Sequence, residues 1–458
     1  NKRRAGSFLR LFSCLVALLA VSCITDDDLP TGEVYVQVGD TLPDFRVTLS
    51  DGTEFDTSTL GGSVSLIMFF DTSCPDCREM LPRVQQGLLY LLLAITWYSL
   101  RFSADSAVSA YNFGYVVGQY VLLVWLVLRY GGDGKLDFDW QKPREWPRPL
   151  QLLAVLLLAG FANGLLGIYQ HFTGVVPTDP WVDPSQFPEL KTRVVGTLIN
   201  PNIFAGYLVL LLSTAVPFIK ITTGKIRGFL MVLAAVLGIS LVYTFSRGNW
   251  VACACAMIFY FLFFWRKWLV PLAVCAAGGV YFMHGAVWHR LMSIFGTQDT
   301  SVALRFAYLK STLFIIEEHP YGVGWYGFQY IYPEYDFYLN NPNVIMYHCH
   351  NLMLNILAEL GWHGLIVFVL VLAVFAWHAF KLAVKGVRPW LRAVGQGYLA
   401  ALVGILAGGL TDHVYFNMDM GLLFWCVSMV MMQCSLLNRL SRSGRHKIAL
   451  HTGTDTLQ

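Results

Sequence analysis

The chain has 458 residues, of which 56% are hydrophobic, 15% aromatic and only 13% charged, with a formal net charge of +3 and a mean hydropathy of +0.53. An ordinary soluble domain carries about 25% charged residues. Too little charge is present to cover a water-facing surface, which excludes a disordered chain, a nucleic-acid-binding domain and a normal cytosolic enzyme, and puts most of the protein in a bilayer. The ten cysteines (14, 23, 74, 77, 253, 255, 275, 349, 426 and 434) form no disulfide framework. Those at 14, 253, 255, 275, 426 and 434 lie in apolar stretches, where a thiol packs as a small hydrophobe.

Residues 1–23 carry a basic start (Lys2, Arg3, Arg4), the apolar run Phe8–Ala20 and small residues leading to Cys23, the pattern of a secretory signal. Leu19-Ala20-Val21-Ser22-Cys23 resembles a bacterial lipoprotein signal, which implies lipidation of Cys23. A plain N-terminal membrane anchor is the alternative. Asp26, Asp27 and Asp28 then open a polar tether.

Residues 34–86 differ in character. Leu49-Ser50-Asp51-Gly52-Thr53 is a hairpin-like turn signal, and Val64–Phe70 is a short apolar run with β character. Cys74-Pro75-Asp76-Cys77 leads into a helical segment, Arg78–Gln86. A Cys-x-x-Cys at a strand-to-helix junction sets its first thiol at a helix N-terminus, where the dipole stabilises a thiolate. A metal half-site would use the same spacing. The order of these pieces resembles thioredoxin-like proteins of the periplasmic lipoprotein type, implying Cys74 and Cys77 as a redox pair. The resemblance ends at Gln86, where Gly87-Leu88-Leu89-Tyr90 begins membrane sequence. A thioredoxin fold needs further strands and helices, so a partial α/β segment without oxidoreductase activity is expected.

From there the chain reads as an all-α polytopic membrane protein of about nine or ten transmembrane helices. Span-length apolar stretches fall at about 110–130, 149–169, 203–219, 228–245, 249–265, 268–283, 353–377, 393–411 and 420–437, with a shorter one at 87–100. The fourteen residues of the last cover about 21 Å as helix, short of a core of about 30 Å, so whether it crosses stays open. Positive residues cluster at Arg129–Arg148, Lys220–Arg227, Arg266–Lys267, Lys381–Arg392 and Arg439–Lys447. All five clusters fall on one side if the spans alternate, which makes that side, with the tail 438–458, cytoplasmic. The other side holds 170–202, the junction 246–248, a long loop 284–352, and 412–419.

That outer side carries polar groups a mere bundle does not need. Arg193-Val194-Val195-Gly196 precedes Asn200-Pro201-Asn202. Ser246-Arg247-Gly248 joins two spans with almost no loop, and Arg305 opens a helical stretch, 303–318. An Arg at the membrane edge is costly unless paired or facing water. His319–Phe328 is a turn rich in Gly and aromatics. His350-Asn351 enters the next span, which contains Gly361 and Gly364. Asp412 and His413 close the last outer loop, where they could pair with an Arg or cap a helix.

These residues, over about 110–437, resemble the O-antigen ligase family of bacterial inner-membrane glycosyltransferases. The most specific piece is His350-Asn351, nine residues, Gly361, two residues, Gly364; Arg193-x-x-Gly196, Ser246-Arg247-Gly248 and Pro320–Phe328 match further family features. The resemblance implies a multi-pass inner-membrane enzyme with a periplasmic site in the domain 87–437. It implies metal-independent, inverting transfer of a glycan from an undecaprenyl-diphosphate-linked donor to lipid A core or another hydroxyl acceptor, without a cofactor. By the same resemblance Arg193, Arg247 and Arg305 would hold the diphosphate. Guanidiniums suit that task because they stay charged and offer bidentate donors. His350 would be the base, with Asn351 helping to position it, and Asp412 and His413 are further candidates. A pKa near neutrality suits a His to this role, and His348 competes for it.

The same scaffold serves ligases, polysaccharide polymerases and protein O-oligosaccharyltransferases, among which the sequence does not choose. The Gly361/Gly364 pair reads physically as close helix packing. Asp137-Phe138-Asp139 looks like a metal-binding D-x-D but lies in an inner loop. A membrane thiol–disulfide carrier using Cys74 and Cys77 would need more reactive cysteines in the spans; Cys253 and Cys255 lie on opposite helix faces. A transporter would favour broken spans and midplane charges, whereas the charges here sit at the outer edge.

Overall fold

A computed structural model describes residues 46–48, 54–56, 75–130, 136–177, 192–282, 285–293, 300–337, 346–413 and 418–442. The chain divides into two compact units, 1–77 and 78–458. Of the first, a two-stranded antiparallel hairpin is described, β1 (Arg46–Thr48) and β2 (Glu54–Asp56), with Val47 opposite Phe55. Its connection is the Leu49–Thr53 stretch that carries the turn signal. The proposed signal 1–23, with Cys23, the apolar run Val64–Phe70 and Cys74 lie outside the described residues. The thioredoxin-like expectation for 34–86 is not supported. The hairpin and the start of a helix are all that is described there, and that helix, α1 (Pro75–Ser99), does not stop at Gln86. It runs on through Gly87, because one glycine in a helix interior costs only about 1 kcal/mol and the leucines that follow favour helix.

The second unit is an all-α polytopic bundle. After α1 come α2 (Ser106–Asn112), a π turn (Phe113–Val117), α3 (Gly118–Tyr130), α4 (Arg148–Thr173), α5 (Pro201–Ile221), α6 (Gly224–Tyr243) and α7 (Arg247–Phe264). They are followed by α8 (Leu269–Phe282), α9 (Ala286–Met292), α10 (Thr300–Glu318), α11 (Phe328–Ile331), α12 (Leu352–Lys385), α13 (Pro389–Gly409) and α14 (Met418–Arg442). Among the described residues eight helical stretches are long and apolar enough to cross a membrane: Ser106–Val127, α4, α5, α6, α7, α12, α13 and α14. This is fewer than the nine or ten expected. The 268–283 stretch contributes α8, whose 14 residues span about 21 Å. The chain nevertheless returns along α7 there, because Arg290 just after α8 reaches back to Phe245 at the start of α7.

Burial sorts the helices. The apolar windows of α5, α13 and α14 are 72%, 72% and 78% buried, against 28% for α4 and 33% for α6. The first three therefore form the protein interior, and the others turn side chains such as Val155, Leu158, Met231 and Val232 outward. An outward apolar face on helices of this length is what a bilayer stabilises. Small residues let α13 approach closely: a Cβ on Gly397 would lie 3.0 Å from Thr214 of α5.

The basic clusters gather at one end. Arg388 pairs with Asp137, and Trp390 Nε1 donates to the Leu136 carbonyl. Lys220 Nζ donates to the Phe264 carbonyl, Val387 N to Asn438 Oδ1, and Arg442 to the Lys385 carbonyl. Asp137 thus serves an ion pair and Asp139 accepts from Gln141 N, so both D-x-D carboxylates have structural partners. The motif residues of the outer side meet at the opposite end.

Candidate active site

Three residues, Thr244-Phe245-Ser246, join α6 to α7, and this tight junction organises the site. Phe245 has φ 50°, in the left-handed region. The end of α6 leaves carbonyls that no helical N–H can reach, and guanidiniums take them. Arg193 Nε donates to the Thr244 carbonyl at 2.7 Å, and Arg290 Nε reaches the Phe245 carbonyl at 3.5 Å. Arg247, the first residue of α7, donates through Nη1 to Ser293 Oγ at 2.6 Å. Arg193 is itself buried. The 194–197 turn that holds it is seated on α4: Gln170 Oε1 accepts from Val195 N and Gly196 N, and Gln170 Nε2 donates to the Gly196 carbonyl. Burial, with the charges of Arg290, Arg305 and Arg247 adding to it and Asp412 opposing, pushes the Arg193 guanidinium down to about 9. It remains charged at neutral pH.

Asn202 links this cationic group to the histidines. Asn200 caps α5, its Oδ1 accepting from Asn202 N. Asn202 Oδ1 accepts from Arg193 Nη2 at 2.7 Å and from Ser246 Oγ at 2.9 Å, and its Nδ2 donates to Asp412 Oδ2 at 3.2 Å. Asp412 Oδ1 in turn lies 3.1 Å from His350 Nδ1 and 3.3 Å from His348 Nε2, and accepts from His413 N at 2.8 Å. Burial alone would raise the Asp412 carboxyl, but the hydrogen bonds from the two histidines and their charge hold it well below the usual carboxylate range. An ionised carboxylate only accepts, so each imidazole nitrogen facing it carries its proton. His350 therefore presents Nε2 unprotonated when neutral. Burial pushes the third imidazole, His413, down to about 3, so it stays neutral.

The close approach of the 410–413 loop to the junction requires Gly248. A Cβ there would lie 2.4 Å from Thr411 Oγ1, next to Asp412. This gives the glycine of Ser246-Arg247-Gly248 a physical reason.

His350 has φ 57°, in the left-handed region that a non-glycine residue occupies at a cost. It is held on several sides. Its ring stacks on Tyr308 of α10, with centroids 5.5 Å apart and planes at 25°. Cys349 before it is buried, its N–H donating to Asn355 Oδ1. Asn351 after it caps α12, accepting from Leu354 N and donating to the Leu410 carbonyl. Both ends of the Asn351 amide are thus spent on backbone, so it orients the histidine and the 410–413 loop.

Gly361 breaks α12. Its φ of 69° and ψ of −176° form a kink open to glycine. The kink frees carbonyls that the Gly-rich turn satisfies: Val323 N donates to the Ala358 carbonyl and Gly324 N to the Glu359 carbonyl. A Cβ on Gly361 would lie 2.5 Å from Tyr321 C. The expected close helix packing is thus a loop packed on a kink, and a Cβ on Gly364 would lie 2.2 Å from Cβ of Leu360, the residue before that kink. The same loop is tied to α1 and α2 through Trp325, whose N donates to Ser99 Oγ and whose Nε1 donates to Asn112 Oδ1.

Of the residues the sequence singled out, Arg193, Arg247, Arg305, His350, Asn351, Asp412 and His413 meet at this end. Arg305 is half-buried on α10, one turn before Tyr308. Cys77 lies at the start of α1 and is the last residue of the first unit. The sequence missed Arg290, Gln170 and the hub role of Asn202. Arg290 lies on the short helix α9 with no motif around it, and Asn202 stood out only as part of the polar stretch Asn200-Pro201-Asn202 before a span. The ligand atoms of His348, His350 and Asp412 lie within 4.8 Å of one another, close enough to hold a metal ion. Hydrogen bonds already account for the geometry, and the neighbouring guanidiniums oppose a further cation.

A family model described as O-Antigen ligase matches residues 229–369. That stretch contains Arg247, Arg290, Arg305, the Gly-rich turn, His350 and Gly361. No curated protein matches the chain.

Proposed function

We propose that the chain transfers a glycan from an undecaprenyl-diphosphate-linked donor to a hydroxyl acceptor at the membrane face opposite its basic clusters, the periplasmic face of an inner membrane. The observation that carries this is the chain of contacts from Arg193 through Asn202 and Asp412 to His350. It ties a group of permanent cations to an imidazole held in one tautomer. Cations suit a diphosphate leaving group, and an oriented imidazole suits a hydroxyl nucleophile. The match of residues 229–369 to the O-antigen ligase family model supports the same chemistry.

The acceptor hydroxyl oxygen attacks the anomeric carbon from the face opposite the diphosphate, and its proton passes to His350 Nε2. The bond from the anomeric carbon to the phosphate oxygen breaks, its electron pair leaving on the diphosphate. Asp412 stabilises the imidazolium that forms. Arg247 and Arg305 neutralise the charge that develops on the departing diphosphate, with Arg193 adding charge from beneath them. The products are the glycosylated acceptor, with the anomeric configuration inverted, and undecaprenyl diphosphate. No step calls for a metal.

The test is glycan transfer in membranes of a bacterial strain lacking its own ligase. The intact chain should transfer glycan to acceptor, His350→Ala should not, and Cys74→Ser/Cys77→Ser should match the intact chain. Transfer that survives His350→Ala would rule out the proposed base.

A further inference from the structure

Beyond its kink, α12 turns one continuous stripe of side chains away from the protein. Trp362, Ile366, Leu370, Trp377, Phe380 and Val384 are all about half exposed, and their spacing of three, four or seven residues puts them on one helix face. Lys381 and Lys385 lie on that face as well, one turn apart and exposed, at the end where the basic clusters gather. From Trp362 to Lys381 the helix rises about 28 Å, close to the roughly 30 Å of a hydrocarbon core. The two ammonium groups therefore sit at headgroup level, with Trp362 marking the opposite interface.

This end is ordered as well as basic. Lys381 Nζ lies over the Trp377 ring, 4.5 Å from its centroid, and that ring stacks on Phe380, with centroids 6.3 Å apart and planes at 21°. The negative face of the ring holds the ammonium in place. Arg442, the last residue of α14, donates to the Lys385 carbonyl, which brings a third cation beside the two lysines. Among the described residues no carboxylate pairs with Lys381, Lys385 or Arg442. Arg388, three residues beyond Lys385, is by contrast paired with Asp137. The fold thus answers one cation of this end with a carboxylate of its own and leaves these three to a counter-charge from outside the chain.

We propose that the inner end of α12 binds an anionic phospholipid of the leaflet on the side of the basic clusters. Lys381, Lys385 and Arg442 take its phosphate oxygens, and Trp377, Phe380 and Val384 lie along its acyl chains. A phospholipid fits both halves of this face. Its phosphate accepts from ammonium and guanidinium groups, and its chains cover apolar side chains that are exposed on the protein. A soluble anion would meet only the first half. An apolar protein partner would bury cations without a counter-charge. A lipid of net negative charge is favoured over a zwitterionic one, whose own ammonium offsets the phosphate. This surface lies at the end opposite the histidines and does not depend on the donor proposed above.

The experiment is native mass spectrometry of the purified full-length chain in detergent, with equal amounts of phosphatidylglycerol and phosphatidylethanolamine bearing the same acyl chains. The intact chain should retain phosphatidylglycerol in preference. A lysine at an anionic surface contributes about fivefold to binding, so Lys381→Gln/Lys385→Gln should weaken phosphatidylglycerol retention by about tenfold or more. Its phosphatidylethanolamine retention should not change. Lys381→Arg/Lys385→Arg, which keeps both charges, should retain the anionic lipid. Trp377→Leu, which keeps apolar cover and loses the ring under Lys381, should weaken retention by about threefold. Lys225→Gln, in a different basic cluster, should behave as the intact chain.

Equal retention of the two lipids by the intact chain would overturn the proposal, and so would undiminished phosphatidylglycerol retention in the double glutamine variant. A loss in Lys225→Gln as large as in the double variant would overturn it too, by showing a diffuse attraction to the whole basic end. Thermal midpoints in detergent alone establish that each variant is folded. If the double glutamine variant is not, Trp377→Leu decides, and unchanged retention there would overturn the proposal.

Discussion

His350 Nδ1 lies 3.1 Å from Asp412 Oδ1, across a separation of 62 residues in the chain. The first belongs to the loop that enters α12 and the second to the loop that leaves α13. Their contact sets the tautomer of the proposed base. An ionised carboxylate at Nδ1 leaves Nε2 as the nitrogen with a lone pair. His348 shares the same oxygen through Nε2, which leaves its Nδ1 as the lone-pair nitrogen. Both imidazoles are thus fixed by one carboxylate, and His350 is the one locked further by its left-handed backbone and the Tyr308 ring.

His350→Ala should lower the rate of glycan transfer by roughly 10²–10⁴-fold, the usual contribution of a positioned general base. His348→Ala should cost much less, below about tenfold, because it leaves the His350–Asp412 pair intact. Initial rates in washed membranes, normalised to inserted protein, decide between the two. An equal loss for both would assign the base to the pair jointly.

Asp412→Asn keeps the shape but not the charge. An amide can donate toward His350 Nδ1 and favour the wrong tautomer, as well as removing the counter-charge to the imidazolium. Transfer should fall by roughly 10²-fold or more, with little change in the apparent affinity for donor. A fall in donor affinity with an unchanged maximal rate would show that Asp412 serves binding.

Asp412 also links stability to pH. Its folded carboxyl is held below the ordinary value of about 3.9. The stability this contributes is fully present above that value and is lost as pH falls through the lower folded value. The difference in thermal midpoint between the intact chain and Asp412→Asn should therefore shrink as pH falls below about 4. A difference that stays the same or grows below that pH would contradict the assignment.

Gly361→Ala should destabilise the protein by about 1–3 kcal/mol or more, since it forces a side chain into a backbone region reserved for glycine and against Tyr321. Gly248→Ala should instead lower activity first, by pushing Thr411 and with it Asp412 away from the junction. Thermal unfolding read beside transfer rates separates the two effects. Equal loss of both properties in both variants would mean that the kink and the junction fail as one unit.

Chelators should leave transfer unchanged. His348, His350 and Asp412 are close enough to hold an ion, but the guanidiniums around Arg193 disfavour an added cation. Activity lost to a chelator and restored by one divalent ion would turn this cluster into a metal centre.

Much of this protein was legible in the order of its residues. The membrane-crossing stretches follow from runs of apolar side chains, and the five basic clusters that meet at one end follow from their alternation with those runs. Both are local properties, decided by the transfer of each segment between water and lipid. Arg193, Arg247, Arg305 and His350 stood out for the same kind of reason, being charged or titratable groups at span edges.

The partnerships among those groups belonged to tertiary structure. Asn202 and Asp412 are 210 residues apart and meet through one hydrogen bond. Arg290 joins the junction only because α8 and the residues after it bring the chain back along α7. Asn351 turned out to cap a helix, and Gly361 to kink one so that a loop could satisfy the freed carbonyls. Hydrophobicity, which places the helices, is additive along the chain and non-directional. Hydrogen bonds and ion pairs depend on distance and angle between atoms that only packing brings together.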